Sequence, residues 1–398
     1  MDWWCSMAVL SNCLSPYAAD YSGVSSVLFD LNTVTAMHDA SGCTGNYTGY
    51  DEPRWYGSKS GIFCSGLREI DAILGDDEKL IKKMIHASKD IKPDLMALVG
   101  SPVPMVIGSD MVGIAAELEE RTGIPCLGFD TTGTAYYDQG VAMATIALLK
   151  KFTPKSEMIP GTVNIVGATP LDFAYGENLE DLKDLIEGEG LAITACLSMG
   201  YTMETLKKAS SAQINLAVSK AGLKIAQYME TTYGIPYVCG LPVGNEMTKL
   251  YLEEVKKVAE TKQSSILNAK ESETADILIV GEQVSSNSIR LALEKEYGEG
   301  KIAVGCLFGK EAKLALPQDK NLSSERLIKE EINKDCYKMI IADPFIKELL
   351  SEDSKADFLA NAQYAVSSKV CVEDTARIIG IKFHEWLNHR LNKVHNGK

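Results

Sequence analysis

The stretch Leu80-Ile81-Lys-Lys-Met84-Ile85-His-Ala-Ser-Lys-Asp-Ile-Lys-Pro-Asp94-Leu95-Met-Ala-Leu-Val99 changes its period halfway along. Leu80, Ile81, Met84 and Ile85 fall on one helical face, whereas Leu95–Val99 is an unbroken apolar run of strand length. From Glu69 onward the same exchange recurs. Strands are expected at Pro125–Phe129, Val163–Val166, Ala192–Ala195, Ile214–Ala217, Ile277–Val280, Ile302–Val304 and Met339–Ala342. Between them, Leu179, Leu182, Leu185 and Ile186 form one helical stripe and Leu250, Val255, Val258 and Ala259 another. Such stripes are core faces. Strands alternating with helices are the signature of α/β units with parallel sheets.

At 398 residues the chain is too long for one core of ordinary size. Three blocks are expected: residues 1–155 (a cysteine-bearing arm and a first α/β domain), 156–270 (a second α/β domain) and 271–398 (a third, ending in a helix from Asp374 to about Leu391). The polar stretch from Glu260 to Thr274 marks the second join. The expected fold class is α/β, three doubly wound Rossmann-like domains with parallel sheets around a central cleft. Loops following strands, at Gly100–Pro102, Gly167–Pro170 and Gly281–Val284, are expected to converge there.

Composition removes several functions. A net charge of −14 argues against a phosphate-backbone partner, so no nucleic acid is expected. No apolar run approaches the roughly 18–20 residues of a membrane span. The opening residues carry no basic region of a secretory signal, and ten cysteines without one point to reduced thiols and a cytoplasmic location. Neither G-x-x-x-x-G-K-[ST] nor G-x-G-x-x-G is present, so the chain is not expected to hydrolyse ATP itself. No Ser–His–Asp or H-E-x-x-H pattern indicates hydrolysis.

Cys13 and Cys43 lie in a stretch, Met1–Pro53, that holds no Lys and no Arg. Cys43 follows a glycine in Met37-His38-Asp39-Ala40-Ser41-Gly42-Cys43, a turn open enough for a thiolate to reach a metal. Thiolates are the usual ligands of iron–sulfur clusters. The competing reading is a pair of buried, inert cysteines, since free Cys packs as a small hydrophobe and no known ferredoxin spacing is present.

The surrounding residues resemble the nitrogenase component 1 family. The run Cys13-Leu-Ser-Pro-Tyr-Ala-Ala-Asp-Tyr-Ser-Gly23 is similar to the family's first cluster-cysteine segment. His38, Gly42 and Cys43 match its H-G-P-x-G-C turn, with Asp39 and Ala40 replacing Gly-Pro. Glu69-Ile-Asp71-Ala-Ile-Leu-Gly75-Asp-Asp-Glu-Lys-Leu80 looks like the E-x-D-x-x-x-G-G-x-x-K-L block, and Ile107-Gly-Ser-Asp110 like the I-G-D-D loop. Tyr233-Gly-Ile-Pro236, then Pro242-Val-Gly244 and Thr248, match a further block. The resemblance extends from about residue 10 to about residue 260. Relatives of this kind include nitrogenase molybdenum–iron protein subunits and dark-operative protochlorophyllide reductase.

The resemblance implies a reductase component in which Cys13 and Cys43 hold an iron–sulfur cluster between two subunits. The family's third cysteine is missing, its place being Val99-Gly-Ser101-Pro102. Cys64, flanked by Gly61 and Gly66, is the expected replacement ligand. Two chains supplying Cys13 and Cys43 give four thiolates, the complement of one [4Fe–4S] cluster, and Cys64 raises the set to six, enough for a larger one. Cys126, Cys196, Cys306, Cys336 and Cys371 read as packing residues, Cys239 as a strand end, and Cys5 as a neighbour of Trp3 and Trp4. Implied partners are a second copy or a homologous subunit, and an ATP-dependent iron–sulfur reductase that delivers electrons. The aromatic residues Trp3, Trp4, Tyr17, Tyr21 and Phe29 are expected at the subunit interface. The stretch that in nitrogenase carries a cysteine for the iron–molybdenum cofactor is here Leu216–Ala221, without one, so dinitrogen reduction is not expected. A cofactor-assembly scaffold or carrier, and a degenerate non-redox binding protein, are the alternatives that the missing cysteine keeps open.

Overall fold

Among the described residues (11–56, 61–75 and 77–396), the computed structural model of the chain holds three sheets in which every pairing of strands is parallel. The first joins β1 (Thr33–Met37), β2 (Gly61–Cys64), β3 (Leu95–Val99) and β4 (Cys126–Phe129) in the order β2-β1-β3-β4. The second contains β5 (Thr162–Val166), β6 (Ala192–Cys196), β7 (Ile214–Ala217), β8 (Tyr237–Cys239) and β9 (Ser265–Ile266), ordered β6-β5-β7-β8-β9. In the third, β10 (Ile277–Gly281), β11 (Ile302–Cys306), β12 (Lys320–Asn321), β13 (Met339–Ala342) and β14 (Asp357–Ala360) run β12-β11-β10-β13-β14. β1, β3, β5, β10 and β11 are buried at every residue, as strands covered by helices on both faces must be.

Each order reverses direction at one place, between β1 and β3, β5 and β7, and β10 and β13. The loops leaving the carboxyl ends of such neighbours diverge to opposite faces, and the crevice left between them is where open α/β sheets receive ligands. In the first sheet that crevice lies between the His38–Cys43 turn and Gly100–Ser101.

Seven helices surround the first sheet: α1 (Asp20–Leu28), α2 (Gly42–Asn46), α3 (Glu69–Leu74), α4 (Asp77–Ile91), α5 (Pro102–Ile107), α6 (Met111–Thr122) and α7 (Tyr137–Phe152). α1 lies along α7 at backbone distance. A Cβ on Gly23 would sit 2.1 Å from the Tyr137 carbonyl oxygen, and one on Gly140 would sit 1.9 Å from that of Asp20. The buried Asp20 carboxylate closes the crossing, accepting from the amides of Tyr21 at 2.8 Å, Thr132 at 2.9 Å and Gly133 at 2.8 Å.

Several elements depart from the sequence reading, among them the strands β2, β9, β12 and β14, which were not expected. β1, the second strand from the edge of the first sheet, was not anticipated: Thr33-Val-Thr-Ala-Met37 is short and half polar, yet its threonines are buried and bond to each other at 3.2 Å. The last helix runs Lys382–Asn396 rather than starting at Asp374. Gly380 has φ +55° and its amide donates to the Pro242 carbonyl at 2.9 Å, which ties the preceding segment to the second sheet and prevents an earlier helical start. Among the described residues no helix is long and apolar enough to cross a membrane.

Gly140→Ala forces α1 off α7. The expected outcome is a loss of about 2–3 kcal/mol of stability, the cost of overpacking a close contact, read as a shifted urea midpoint. Ala147→Gly, on the same helix at a half-buried position, is expected to cost only about 1 kcal/mol.

Candidate functional site

The carboxyl end of β1 builds the cysteine turn. After Met37 the chain stays tied to β3 through His38 N–H and the Val99 carbonyl at 2.8 Å. Asp39 then winds the turn: its Oδ2 accepts from Ser41 N at 3.0 Å, Thr44 N at 3.0 Å and Thr44 Oγ1 at 3.2 Å. This carboxylate ties down amides in the first turn of α2 and holds Ser41 at φ +140°, a conformation L-residues rarely adopt. Cys43 sits in that first turn, half-buried.

Cys64 is the last residue of β2, a strand end rather than the loop position expected. Met37 pairs with it across the sheet, so the thiol leaves β2 at the level where the Cys43 turn begins. Its Sγ donates to the Asp39 carbonyl at 3.3 Å and accepts from Gly66 N at 3.3 Å. Burial pushes the Cys43 thiol up, Asp39 pushes it further, and the nearby Cys64 adds to the effect, while a hydrogen bond with the Tyr21 hydroxyl opposes them. Two of the three expected thiols therefore share one neighbourhood.

Cys13 is held elsewhere. The consecutive amides of Asn12, Cys13 and Leu14 donate to the Glu325 carboxylate at 3.0, 2.9 and 2.8 Å, and the thiol side chain is exposed. Glu325 opens the helix Glu325–Ile332 beside the third sheet. Among the described residues no three His, Cys, Asp or Glu side chains gather to hold a metal ion. One chain thus offers a pair of thiols and a separately mounted third.

The remaining candidates have structural duties. Ser101, in place of the family's third cysteine, is fully buried and donates to the His38 carbonyl at 2.8 Å. His38 Nδ1 meets Ser65 Oγ at 2.9 Å, and desolvation lowers the imidazole pKa, which favours the neutral ring. Cys126, Cys196 and Cys306 are buried, with burial lifting each thiol to about 12, and Cys239 is buried as well. Cys336 is exposed and Cys371 half-buried, so burial does not account for either. Cys5, Trp3 and Trp4 lie outside the described residues. Tyr21 and Phe29 are buried within the chain, Phe29 beneath the Arg54 guanidinium at 4.4 Å, and Tyr17 is half-buried against Phe308 at 5.6 Å.

Two of the three loops expected to converge do so, but Gly100–Pro102 instead packs under Thr131 and Gly133. The first sheet sends the start of α7 in its place. There Tyr137 donates to Asp172, and Asp138 pairs with Lys220 at 3.2 Å and Lys224 at 3.5 Å. Lys220 N donates to Glu282 at 2.8 Å, and its ammonium donates to the carbonyls of Phe308 and Gly309. Burial and the charge of Glu282 push Asp172 well above the usual carboxylate range. Lys220 lies in Leu216–Ala221, the stretch in which the resemblance led a cofactor cysteine to be sought. The space between Tyr137, Asp138, Lys220, Glu282 and Phe308 leaves no room for a water molecule.

Open space lies nearby, a cavity of about 490 Å3 between the start of α1 and the segment after β14. On the outer side of the first sheet, α3 and α5 expose Ile70, Ile73, Leu74, Val103 and Val106, with Ile73, Leu74 and Val106 at least 70% exposed. The two helices flank one depression lined by Asp71, Gly75 and Ile107. Sequence reasoning missed Asp39, Glu325 and Asp138. Asp39 was legible in principle, as an Asp two residues before Ser41 and five before Thr44. Glu325 was not, because over three hundred residues separate it from Cys13.

A family model described as nitrogenase component 1 type oxidoreductase matches residues 21–311, a span that includes Cys43 and Cys64. A subunit of the light-independent protochlorophyllide reductase of Crocosphaera subtropica is 24% identical over 46% of this chain and 38% of its own length. The nitrogenase iron-molybdenum cofactor biosynthesis protein NifE of Clostridium pasteurianum is 27% identical over 65% of this chain and 57% of its own length. The aligned region thus covers well under two thirds of these curated relatives. The solved structure of nitrogenase Cp1 at pH 6.5 superposes with a TM-score of 0.65 at 15% identity, covering 98% of this chain and 91% of that one. That likeness establishes the fold.

Glu325→Ala frees three amides at once. Hydrogen exchange across Asn12–Leu14, read by mass spectrometry, is expected to speed up at least about tenfold, the loss of charge-assisted bonds worth over about 1.4 kcal/mol. Glu325→Gln, which keeps an acceptor, is expected to fall between.

Proposed function

Since the chain belongs to the nitrogenase component 1 type oxidoreductases, we propose that it is a reductase component that binds an iron–sulfur cluster at a subunit interface and passes electrons to a substrate held between its domains. The observation that carries this reading is the pair of thiols, Cys43 and Cys64, rising from neighbouring parallel strand ends around Asp39. Half-buried thiols at the carboxyl ends of neighbouring strands suit a shared metal group, whereas fully buried ones such as Cys196 do not. Cys13, exposed on its Glu325 mount, is the third ligand. A partner subunit, either a second copy or a homologue, completes the set for a [4Fe–4S] or larger cluster.

When bound, the cluster supplies one-electron transfer. The chain's own residues do the rest. Asp39 fixes the cysteine turn, Tyr21 supplies a hydroxyl to Cys43, and packing at the strand ends keeps both thiols half-buried. The exposed apolar face of α3 and α5 lies on the same domain as these thiols and suits an ATP-dependent reductase partner, since contiguous apolar surface marks interaction sites. The filled junction around Lys220 favours an organic substrate over a metal-cofactor reaction. Domain limits at 155/156 and 270/271 place one parallel sheet in each unit. A second reading, a cofactor-assembly scaffold, is favoured by the longer match to the biosynthesis protein.

Protein purified without oxygen is expected to be brown, with thiolate-to-iron absorption. Cys43→Ala and Cys64→Ala should each lose most of the iron; full iron in both variants overturns the assignment. Leu74→Asp should keep its iron yet slow bleaching of that absorption by the reductase and ATP at least about tenfold, as one central hot-spot residue can. Turnover with the reductase present separates the reductase from the scaffold.

A further inference from the structure

Where the three sheets join, each sends one acid, and the three acids have unequal partners. Asp138 is the second residue of α7, Asp172 lies in the short helix Pro170–Phe173 after β5, and Glu282 caps the helix Gln283–Tyr297 after β10. Asp138 pairs with Lys220 at 3.2 Å and Lys224 at 3.5 Å. Glu282 accepts from the amides of Lys220 and Ser285, each at 2.8 Å. Asp172 accepts from hydroxyls, those of Tyr137 and, at 3.0 Å, Thr169, and among the described residues no cation pairs with it.

Three carboxylates against two ammoniums leave one negative charge over, beside a space that admits no water. A charge so placed is costly, and a carboxylate there takes up a proton instead. Two cations hold Asp138 ionised. Burial raises Glu282, but its amides and Lys220 oppose. The proton therefore falls to Asp172, which burial and the charge of Glu282 push well above its ordinary value of 3.8. The other titratable groups around the cluster bring no charge to it: burial raises Tyr137, Cys239 and Cys306, the last to about 12, and Lys310 donates to the Asp319 carbonyl at 3.3 Å instead.

Tyr137 carries this contact to the helix crossing, because its amide donates to the Ala18 carbonyl at 3.1 Å, just before α1. We propose that Asp172 and Tyr137 form a proton-dependent clamp: the protonated carboxyl holds the start of α7 against the second sheet, and loss of that proton releases it. The clamp goes beyond the reductase reading and does not rest on it. Its sign follows from linkage. The closed form keeps a proton that the open, hydrated form gives up above 3.8, so opening becomes easier as pH rises from there to the raised value of the closed form. Below 3.8 both forms hold the proton and closure is at its firmest.

Hydrogen exchange across residues 135–140 of the full chain, read by mass spectrometry and divided by the intrinsic chemical rate, tests the clamp. Between about pH 5 and about pH 7 the corrected rate should rise about tenfold per unit, the mark of one proton released on opening. Met339–Ala342, inside the third sheet, should show no such slope. Asp172→Asn keeps a hydrogen-bonding side chain that does not ionise and should flatten the slope at residues 135–140. Tyr137→Phe should speed exchange there at every pH by about two- to tenfold, the worth of one buried hydrogen bond. A flat rate in the native chain, the same slope at Met339–Ala342, or an undiminished slope in Asp172→Asn overturns the proposal. If Asp172→Asn does not fold, Tyr137→Phe decides, and unchanged exchange in that variant overturns it. Each readout is the same whether or not the chain holds iron.

Discussion

Where α1 crosses α7, Gly23 faces the Tyr137 carbonyl and Gly140 faces the Asp20 carbonyl at distances that no side chain tolerates. The two helices therefore touch backbone to backbone, and Asp20 pins the crossing by accepting three amides from both sides. One end of this contact carries Tyr21, which meets Cys43 and the cavity. The other end carries Tyr137 and Asp138 into the junction of the three sheets. A shift of one helix moves both. Packing at this density transmits displacement rather than absorbing it, so the thiol site and the junction share one mechanical reference.

The interior is divided between a closed polar junction and an open aromatic cavity. At the junction, Asp138, Asp172 and Glu282 meet the buried, fully committed ammonium of Lys220, while the more exposed Lys224 reaches only Asp138. Such a cluster is tolerable only if at least one acid takes a proton, and the upward displacement of Asp172, donated to by Tyr137 and Thr169, is in that direction. The space between these side chains admits no water. The cavity beside Tyr21 lacks such a plug, and it is the larger opening adjoining the candidate thiols.

Much of the second and third sheets was legible because their strands are unbroken apolar runs; the first sheet was not fully legible. Leu95–Val99 carries its fate in its composition, while Thr33–Met37 is a strand because β2 and β3 flank it and two threonines satisfy each other. The final helix misled for a similar reason, its expected first turn being claimed by contacts to Pro242. At the site, the spacing and resemblance pointed to Cys13, Cys43 and Cys64. They did not show that Asp39 winds the turn, that Ser101 is spent on the His38 carbonyl, or that Tyr17, Tyr21 and Phe29 pack inward.

By itself the sequence determined the α/β class, the parallel sheets and the family, since these follow from local periodicity and from residue types at short spacing. Only the tertiary structure decided which thiols meet, that Glu325 mounts Cys13 from three hundred residues away, and that Lys220 fills the junction while Asp51 faces open space. Those outcomes depend on contacts between segments with no local signal of one another, and on whether volume between packed elements is filled. Periodicity reports which face a residue turns inward; it carries no information about what it meets there.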